Sequence, residues 1–134
     1  MSTASQPCQN WLERWRTAVD DVDKESLGSP DDPVGWQHGV AGSVRDNRRI
    51  DCWLEVVDGG IRAARFEVFA SDEARRAAVW TVQWLQGQAI AQAEGLTGLA
   101  IAEATNLPDA SRSDALCIED ALRAALAAPP TEGG

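Results

Sequence analysis

The sequence has no tyrosine, a single histidine and only three cysteines. Cys8, Cys52 and Cys117 form no CxxC pair, so their spacing does not match a zinc or redox motif. An odd number of cysteines predicts reduced thiols instead of a disulfide framework. No apolar run approaches the roughly 18 residues that a membrane-spanning helix needs. We therefore expect no membrane association.

Catalytic signatures are also missing. The chain has no glycine-rich phosphate loop, no nucleophile elbow and no cysteine–histidine pair at metal-binding spacing. The histidine, His38, has no convergent partner evident in the sequence, so a surface or edge-strand position is favoured over a catalytic one. We therefore expect that the protein is not an enzyme.

The charge balance and the N-terminal residues narrow the choice of partner and compartment. A net charge of −9 argues against nucleic-acid binding, which needs clustered Lys and Arg. The same charge favours a basic protein partner. The first residues show no basic segment followed by an apolar stretch, so we expect a cytoplasmic protein.

Strand patterns come first along the chain and helical patterns follow. Alternation of apolar and polar residues predicts a half-buried strand over 50–56, with a shorter strand over 36–40 before it. Asp58-Gly59-Gly60 predicts a tight turn into a returning strand over 61–69. Helical periodicity is found over residues 11–22, 71–87, 89–93, 97–105 and 113–127. This order predicts a two-layer α+β fold, an antiparallel sheet of about three strands with helices packed on one face.

Composition and capping residues set the predicted boundaries. Residues 1–10 read as a flexible tail, 11–128 as a single domain and 129–134 as a disordered tail. Ser71 is predicted to cap the helix over 71–87, and Ser111-Arg112-Ser113-Asp114 matches a capping box.

Three blocks in the second half of the chain carry a family resemblance. They are Ile-Arg-Ala-Ala-Arg-Phe at 61–66, Val-Gln-Trp-Leu-Gln-Gly at 82–87 and Ile-Glu-Asp-Ala-Leu-Arg-Ala-Ala at 118–125. The first resembles the second hairpin strand of the IscU/NifU N-terminal iron–sulfur scaffolds. The other two resemble that family's Thr-Glu-Trp-Val-Lys-Gly and Ala-Glu-Asp-Ala-Ile-Lys-Ala-Ala. The resemblance implies an IscU-like fold and a role in iron–sulfur cluster assembly.

The resemblance also implies where a cluster would be held. The family uses three cysteines, an aspartate and a histidine around one pocket, with thiolates as soft ligands for iron. The matching cysteine positions here are Ser71, Asp114 and, with one residue less in the hairpin turn, a position on or beside Asp46. The histidine position is Ser113, and the aspartate position is Arg48. Since no thiol remains at these positions, we expect no bound metal, cluster or other cofactor.

The cysteines that are present do not replace these ligands. Cys117 lies three residues beyond Asp114, about 300° around a helix, and Cys52 lies on the apolar face of its predicted strand. Both are predicted to be small core residues. The family's chaperone-recognition segment, Leu-Pro-Pro-Val-Lys, is matched only by Leu107 and Pro108, so chaperone recognition is not expected from it.

Two hypotheses about function stay open. In the first, the chain is a scaffold-like interaction module without a cluster, with a protein partner such as a cysteine desulfurase or another assembly component. In the second, it is a divergent carrier that binds iron or an iron–sulfur cluster weakly or between subunits. Asp46, Ser71 and Asp114 could also hold a hard cation, but helix capping is the favoured explanation for Ser71 and Asp114.

The tryptophans are candidates for two different roles. Trp11, Trp15 and Trp53 are candidates for a partner surface, because exposed tryptophans are enriched at interfaces. Trp84 lies in the second block, where core packing is the expected role, and Trp80, one helical turn before it, can share its helix face. For the tryptophans as a group, core packing is favoured and a partner surface stays open.

Overall fold

The structure is a computed structural model that describes residues 26–43, 45 and 47–132. The sequence predictions for the flexible tail, the helix over 11–22, Cys8, Trp11, Trp15 and Asp46 lie outside the described residues. The elements are β1 (Trp36–Ser43), β2 (Arg48–Val57), β3 (Gly60–Phe69), α1 (Asp72–Leu85), α2 (Ile90–Ala93), α3 (Gly98–Ala104), a 3-10 turn (Asp109–Ser111) and α4 (Arg112–Ala127). Strands followed by helices confirm the α+β prediction.

The three strands form an antiparallel sheet in the order β1-β2-β3. Asp58 and Gly59 join β2 to β3 with φ values of 52° and 77°, the left-handed conformation that a two-residue hairpin turn requires. Ile50, Cys52 and Leu54 are fully buried along β2. The alternation in the sequence therefore predicted the correct buried face.

Two long helices cover that face, with α1 packed mainly on β3 and α4 on β1 and β2. Gly39 sets the distance between α4 and β1, because a Cβ at this position would overlap the backbone of Ala121 and Ala125. The core lies between the two layers. Its largest fully buried side chains include Ile50, Leu54, Ile61, Phe66, Leu85, Ile101, Ile118 and Leu122.

Helix α1 begins and ends where the sequence predicts. The hydroxyl of Ser71 accepts a hydrogen bond from the backbone N–H of Ala74 at 3.2 Å, and Gly87 follows the helix with φ +85°. Trp80 and Trp84 stack with ring centroids 6.4 Å apart and pack, half-buried, against the core. The prediction that this pair shares a helix face is confirmed.

The prediction of an exposed Trp53 is wrong. Its side chain points away from the main core, but only 7% of the residue is exposed. One side chain that covers it is His38, the directly opposite residue on β1. The two rings stack with centroids 4.6 Å apart and planes within 3°. Trp53 therefore does not offer an exposed partner surface.

Part of the segment 129–134, for which the sequence predicts disorder, pairs with the start of β1. The N–H of Thr131 donates to the carbonyl of Trp36 at 2.8 Å, and the N–H of Gly35 donates to the carbonyl of Thr131 at 2.9 Å. This pairing gives the backbone groups of Thr131 hydrogen-bond partners, which the composition of the segment did not predict.

In the part of the chain that the structure describes, no helix has the length and apolar character needed to cross a bilayer.

Candidate functional site

Four side chains meet at the end of the molecule where β2, α1 and α4 all begin. Arg48 is the first residue of β2, Ser71 precedes α1, and Ser113 and Asp114 lie in the first turn of α4. These four residues are called the Arg48 cluster below. They are four of the five positions at which the family resemblance places cluster ligands, and the fifth, Asp46, lies outside the described residues.

The carboxylate of Asp114 is the centre of the Arg48 cluster. Its Oδ1 lies 2.8 Å from Nε of Arg48, and its Oδ2 accepts a 2.8 Å hydrogen bond from the hydroxyl of Ser71. The Asp114 side chain is 10% exposed and that of Arg48 is 37% exposed. Arg48 also donates from Nη2 to Oγ of Ser113 at 2.9 Å. The four side chains therefore satisfy one another.

Asp114 does not form the capping box that the sequence predicts. Ser111 precedes α4 without a side-chain capping hydrogen bond, and the Asp114 carboxylate binds Ser71 and Arg48 instead. A carboxylate bond to a backbone N–H is also charge-assisted, but the Arg48 guanidinium carries a full opposite charge, and this favours the observed pairing. Ser71 keeps its predicted cap and also donates to Asp114.

The chemistry of the Arg48 cluster does not suit soft metals. It contains oxygen atoms and a guanidinium but no thiol, and iron–sulfur clusters are held by thiolates. Arg48 supplies the positive charge beside Asp114 that a bound cation would otherwise provide. Among the described residues no group of three or more His, Cys, Asp or Glu side chains is arranged to hold a metal ion.

The two described cysteines are core residues, as predicted. Cys52 is fully buried and Cys117 is 7% exposed. Burial raises the pKa of both thiols, and for Cys117 the nearby Arg48 guanidinium partly offsets this effect. Both groups are therefore neutral thiols near neutral pH, and the thiolate is the form that binds metals.

A second polar cluster lies on the outer face of the sheet and was missed in the sequence. Nε2 of His38 lies 2.8 Å from Oδ2 of Asp51, and Nε of Arg49 donates to Oδ1 at 2.9 Å. Hydrogen bonding to Asp51 raises the pKa of Arg49. The sequence does place polar residues on the outer face of two predicted strands, which could have indicated such a cluster. Pairing His38 with Asp51 required the register of β1 on β2, which local patterns do not give.

Glu119 joins α4 to α3. Its Oε1 accepts a 2.6 Å hydrogen bond from the N–H of Gly98, and its Oε2 accepts a 2.8 Å bond from Nε of Arg123. The backbone bond from Gly98 and then the bond from Arg123 lower the pKa of Glu119. Glu119 belongs to the third sequence block, so the geometry gives this part of the block a structural role.

The sequence matches no protein-family model and no curated protein. The fold does match solved structures. It is similar to a putative iron–sulfur cluster assembly scaffold protein for the SUF system from Fervidobacterium islandicum AW-1, with a TM-score of 0.53 and 13% identity. The match covers 78% of this chain and 88% of that protein. The chain therefore has the fold of this class of scaffold protein, and at such identity the likeness extends to the fold alone.

Proposed function

We propose that this protein is an iron–sulfur cluster assembly scaffold-like protein that is degenerate at the cluster site and acts through protein–protein interaction. In this proposal it is a cytoplasmic, non-enzymatic protein without a cofactor. Its partner is a cysteine desulfurase or another assembly component. The similarity of fold to a scaffold of the SUF system supports the general class, and the sequence resemblance supports the same pathway.

The observation that carries the proposal is the mutual pairing within the Arg48 cluster. The resemblance puts cluster ligands at Arg48, Ser71, Ser113 and Asp114. In this chain those positions bind one another through contacts of 2.8–2.9 Å. A metal ion entering the cluster would have to displace the Arg48 guanidinium from Asp114. It would then find carboxylate and hydroxyl oxygens, which are hard ligands, in place of sulfur.

The test is reconstitution with ferrous iron and sulfide under anaerobic conditions, followed by desalting and visible absorption. We expect no charge-transfer band from the native chain. A stable band with stoichiometric iron would overturn the proposal and support the carrier hypothesis. Because a carrier could bind a cluster between subunits, size-exclusion chromatography before and after reconstitution separates the two forms of that hypothesis.

A variant that restores sulfur provides a matched positive control. Asp46→Cys, Arg48→Asp, Ser71→Cys and Asp114→Cys together install the ligand types that the resemblance implies at these positions. We expect this variant to gain a charge-transfer band that the native chain lacks. The same three cysteines with Arg48 kept should bind less iron, because the guanidinium remains beside the restored ligands.

A further inference from the structure

Two leucines stay exposed on neighbouring helices. Leu99 in α3 is 55% exposed and Leu116 in α4 is 54% exposed. The helices meet at Gly98, where a Cβ would come within 2.9 Å of Cα and Cδ2 of Leu116. Since Leu99 directly follows Gly98, both exposed leucines border the same helix contact. Single exposed leucines are ordinary, but paired ones make a larger apolar area.

An acidic residue follows each of these leucines by one helical turn. Glu103 comes four residues after Leu99, and Asp120 comes four residues after Leu116. Each acid therefore shares the helix face of its leucine. Both acids are exposed, and neither carboxylate has an ion pair or a hydrogen bond within the described chain. These four residues are called the leucine–acid surface.

Other charged groups near this surface are already paired. Glu119 binds Arg123 at 2.8 Å, and Asp109 binds Arg112 at 3.3 Å. The charges one turn after the two leucines are thus negative, in a chain whose net charge is −9, although the Arg76 guanidinium donates to the carbonyl of Thr105 at the end of α3. A partner that supplies positive charge around an apolar side chain would complement both features.

We propose that the leucine–acid surface is a docking site for a partner protein segment that presents an apolar side chain flanked by Lys or Arg. The proposal rests on the interaction role proposed above and names the chemistry of the partner. Leu116 is two residues after Asp114, about 200° around the helix. Leu116 therefore faces away from the Asp114 carboxylate, and Ser113, three residues before Leu116, is the member of the Arg48 cluster on the side nearest to this surface.

A second copy of the chain is a poorer occupant. A symmetric dimer through the two leucines would bring Glu103 and Asp120 of each copy close to those of the other. Like charges placed together across an interface cost free energy, and the net charge of each copy adds to the repulsion.

The experiment uses the full chain and a short synthetic helical peptide with leucines on one face flanked by lysines. Two matched peptides replace lysine with glutamate or leucine with serine. Binding is followed by NMR amide shifts and by titration. We expect the leucine–lysine peptide to shift amides of Leu99, Glu103, Leu116 and Asp120. The matched peptides should bind at least tenfold more weakly.

Two paired variants locate the contact. Leu116→Ser with Asp120→Lys should weaken binding of the leucine–lysine peptide at least tenfold. Val57→Ser with Glu132→Lys makes the same kind of change at exposed positions elsewhere and should leave binding unchanged. Equal loss in both variants, or shifts spread over the whole surface, would mean that net charge alone attracts the peptide and would overturn the proposal.

Two further results would also overturn it. One is no measurable binding of the leucine–lysine peptide. The other is a set of amide shifts that change with protein concentration in the absence of peptide and that Leu116→Ser abolishes. That result would make the surface a self-association interface. Neither depends on cluster reconstitution, so failure here and failure of the proposed function can be told apart.

Discussion

Helix α4 carries two carboxylates that each connect it to a neighbouring element, and they do so differently. Asp114, in the first turn, binds Arg48 of β2 and Ser71 at the start of α1. Glu119 binds the N–H of Gly98 at the start of α3 and Arg123 on its own helix. Each accepts two donors, and each side chain is less than a fifth exposed, at 10% and 18%.

The two sites differ in where the positive charge beside the carboxylate comes from. Asp114 depends on a cation from a distant part of the chain, and its carboxylate is the less exposed. Glu119 is held by a backbone donor that no side-chain substitution removes and by a cation one turn away. Loss of Arg48 leaves Asp114 with a single hydroxyl donor from Ser71, whereas loss of Arg123 leaves the more exposed Glu119 with the backbone N–H of Gly98. We expect the Arg48 cluster to be the more sensitive of the two.

Arg48→Met should give the largest loss of stability. It removes the guanidinium and leaves the Asp114 carboxylate, 10% exposed, with only the hydroxyl of Ser71. Uncompensated buried charges cost several kcal/mol, but water reaches Arg48, so we expect a decrease of about 2 kcal/mol in the free energy of unfolding. Urea denaturation at pH 7 measures it.

Arg62→Met is the matched control for this prediction. Arg62 is 72% exposed and lies 3.4 Å from Glu55, so its loss should cost less than about 0.5 kcal/mol. Adding Asp114→Asn to Arg48→Met removes the uncompensated charge and should recover part of the loss. Equal stability of the two methionine variants would show that the Arg48–Asp114 pair contributes nothing.

Glu119→Gln should have a smaller and pH-dependent effect. At pH 7 we expect a loss of about 1 kcal/mol, since the amide oxygen can still accept from Gly98 but without charge. Native contacts lower the pKa of Glu119 from its ordinary value of 4.5. The carboxylate therefore stabilises the fold above about pH 4.5, and this contribution is lost as the pH falls through the lowered native pKa.

The measurement is urea denaturation of native and Glu119→Gln chains between pH 7 and pH 3. The difference between them should be full at pH 7 and shrink below pH 4.5. Asp120→Asn changes an adjacent residue whose carboxylate has no ion pair or hydrogen bond in the described chain, and it should show no comparable difference. A gap between native and Glu119→Gln that stays constant with pH would contradict the assigned charge contribution.

Local patterns were sufficient for the fold around these sites. Ile50, Cys52 and Leu54 alternate with polar residues and are buried, and Asp58-Gly59 supplies the backbone conformation of the turn. Ser71 caps α1 as expected. Each of these features depends on residues within a few positions of one another, so the sequence alone carries the information.

Contacts across long sequence separations were not predictable in the same way. Asp114 had a local alternative, the capping box, and its true partners lie in β2 and before α1. Trp53 is covered by His38 through strand register, and Thr131 pairs with Trp36. The resemblance placed Arg48, Ser71, Ser113 and Asp114 around one pocket, and the structure brings them together, but it gave no sign that they would bind one another.

The smallest expected stability changes come from the two serines of the Arg48 cluster, whose losses can be compared directly. Ser71 caps α1 and donates to the nearly buried Asp114, so Ser71→Ala should cost about 1 kcal/mol. Ser113 is exposed and only accepts from Arg48, so Ser113→Ala should cost at most about 0.3 kcal/mol. In the Arg48→Met background, Ser113→Ala should have no further effect on stability, because its partner is gone. Ser71→Ala should lower stability more in that background than in the native chain, because Ser71 is then the remaining donor to Asp114. Additive losses for Ser71→Ala would show that the cluster does not act as one hydrogen-bonded unit.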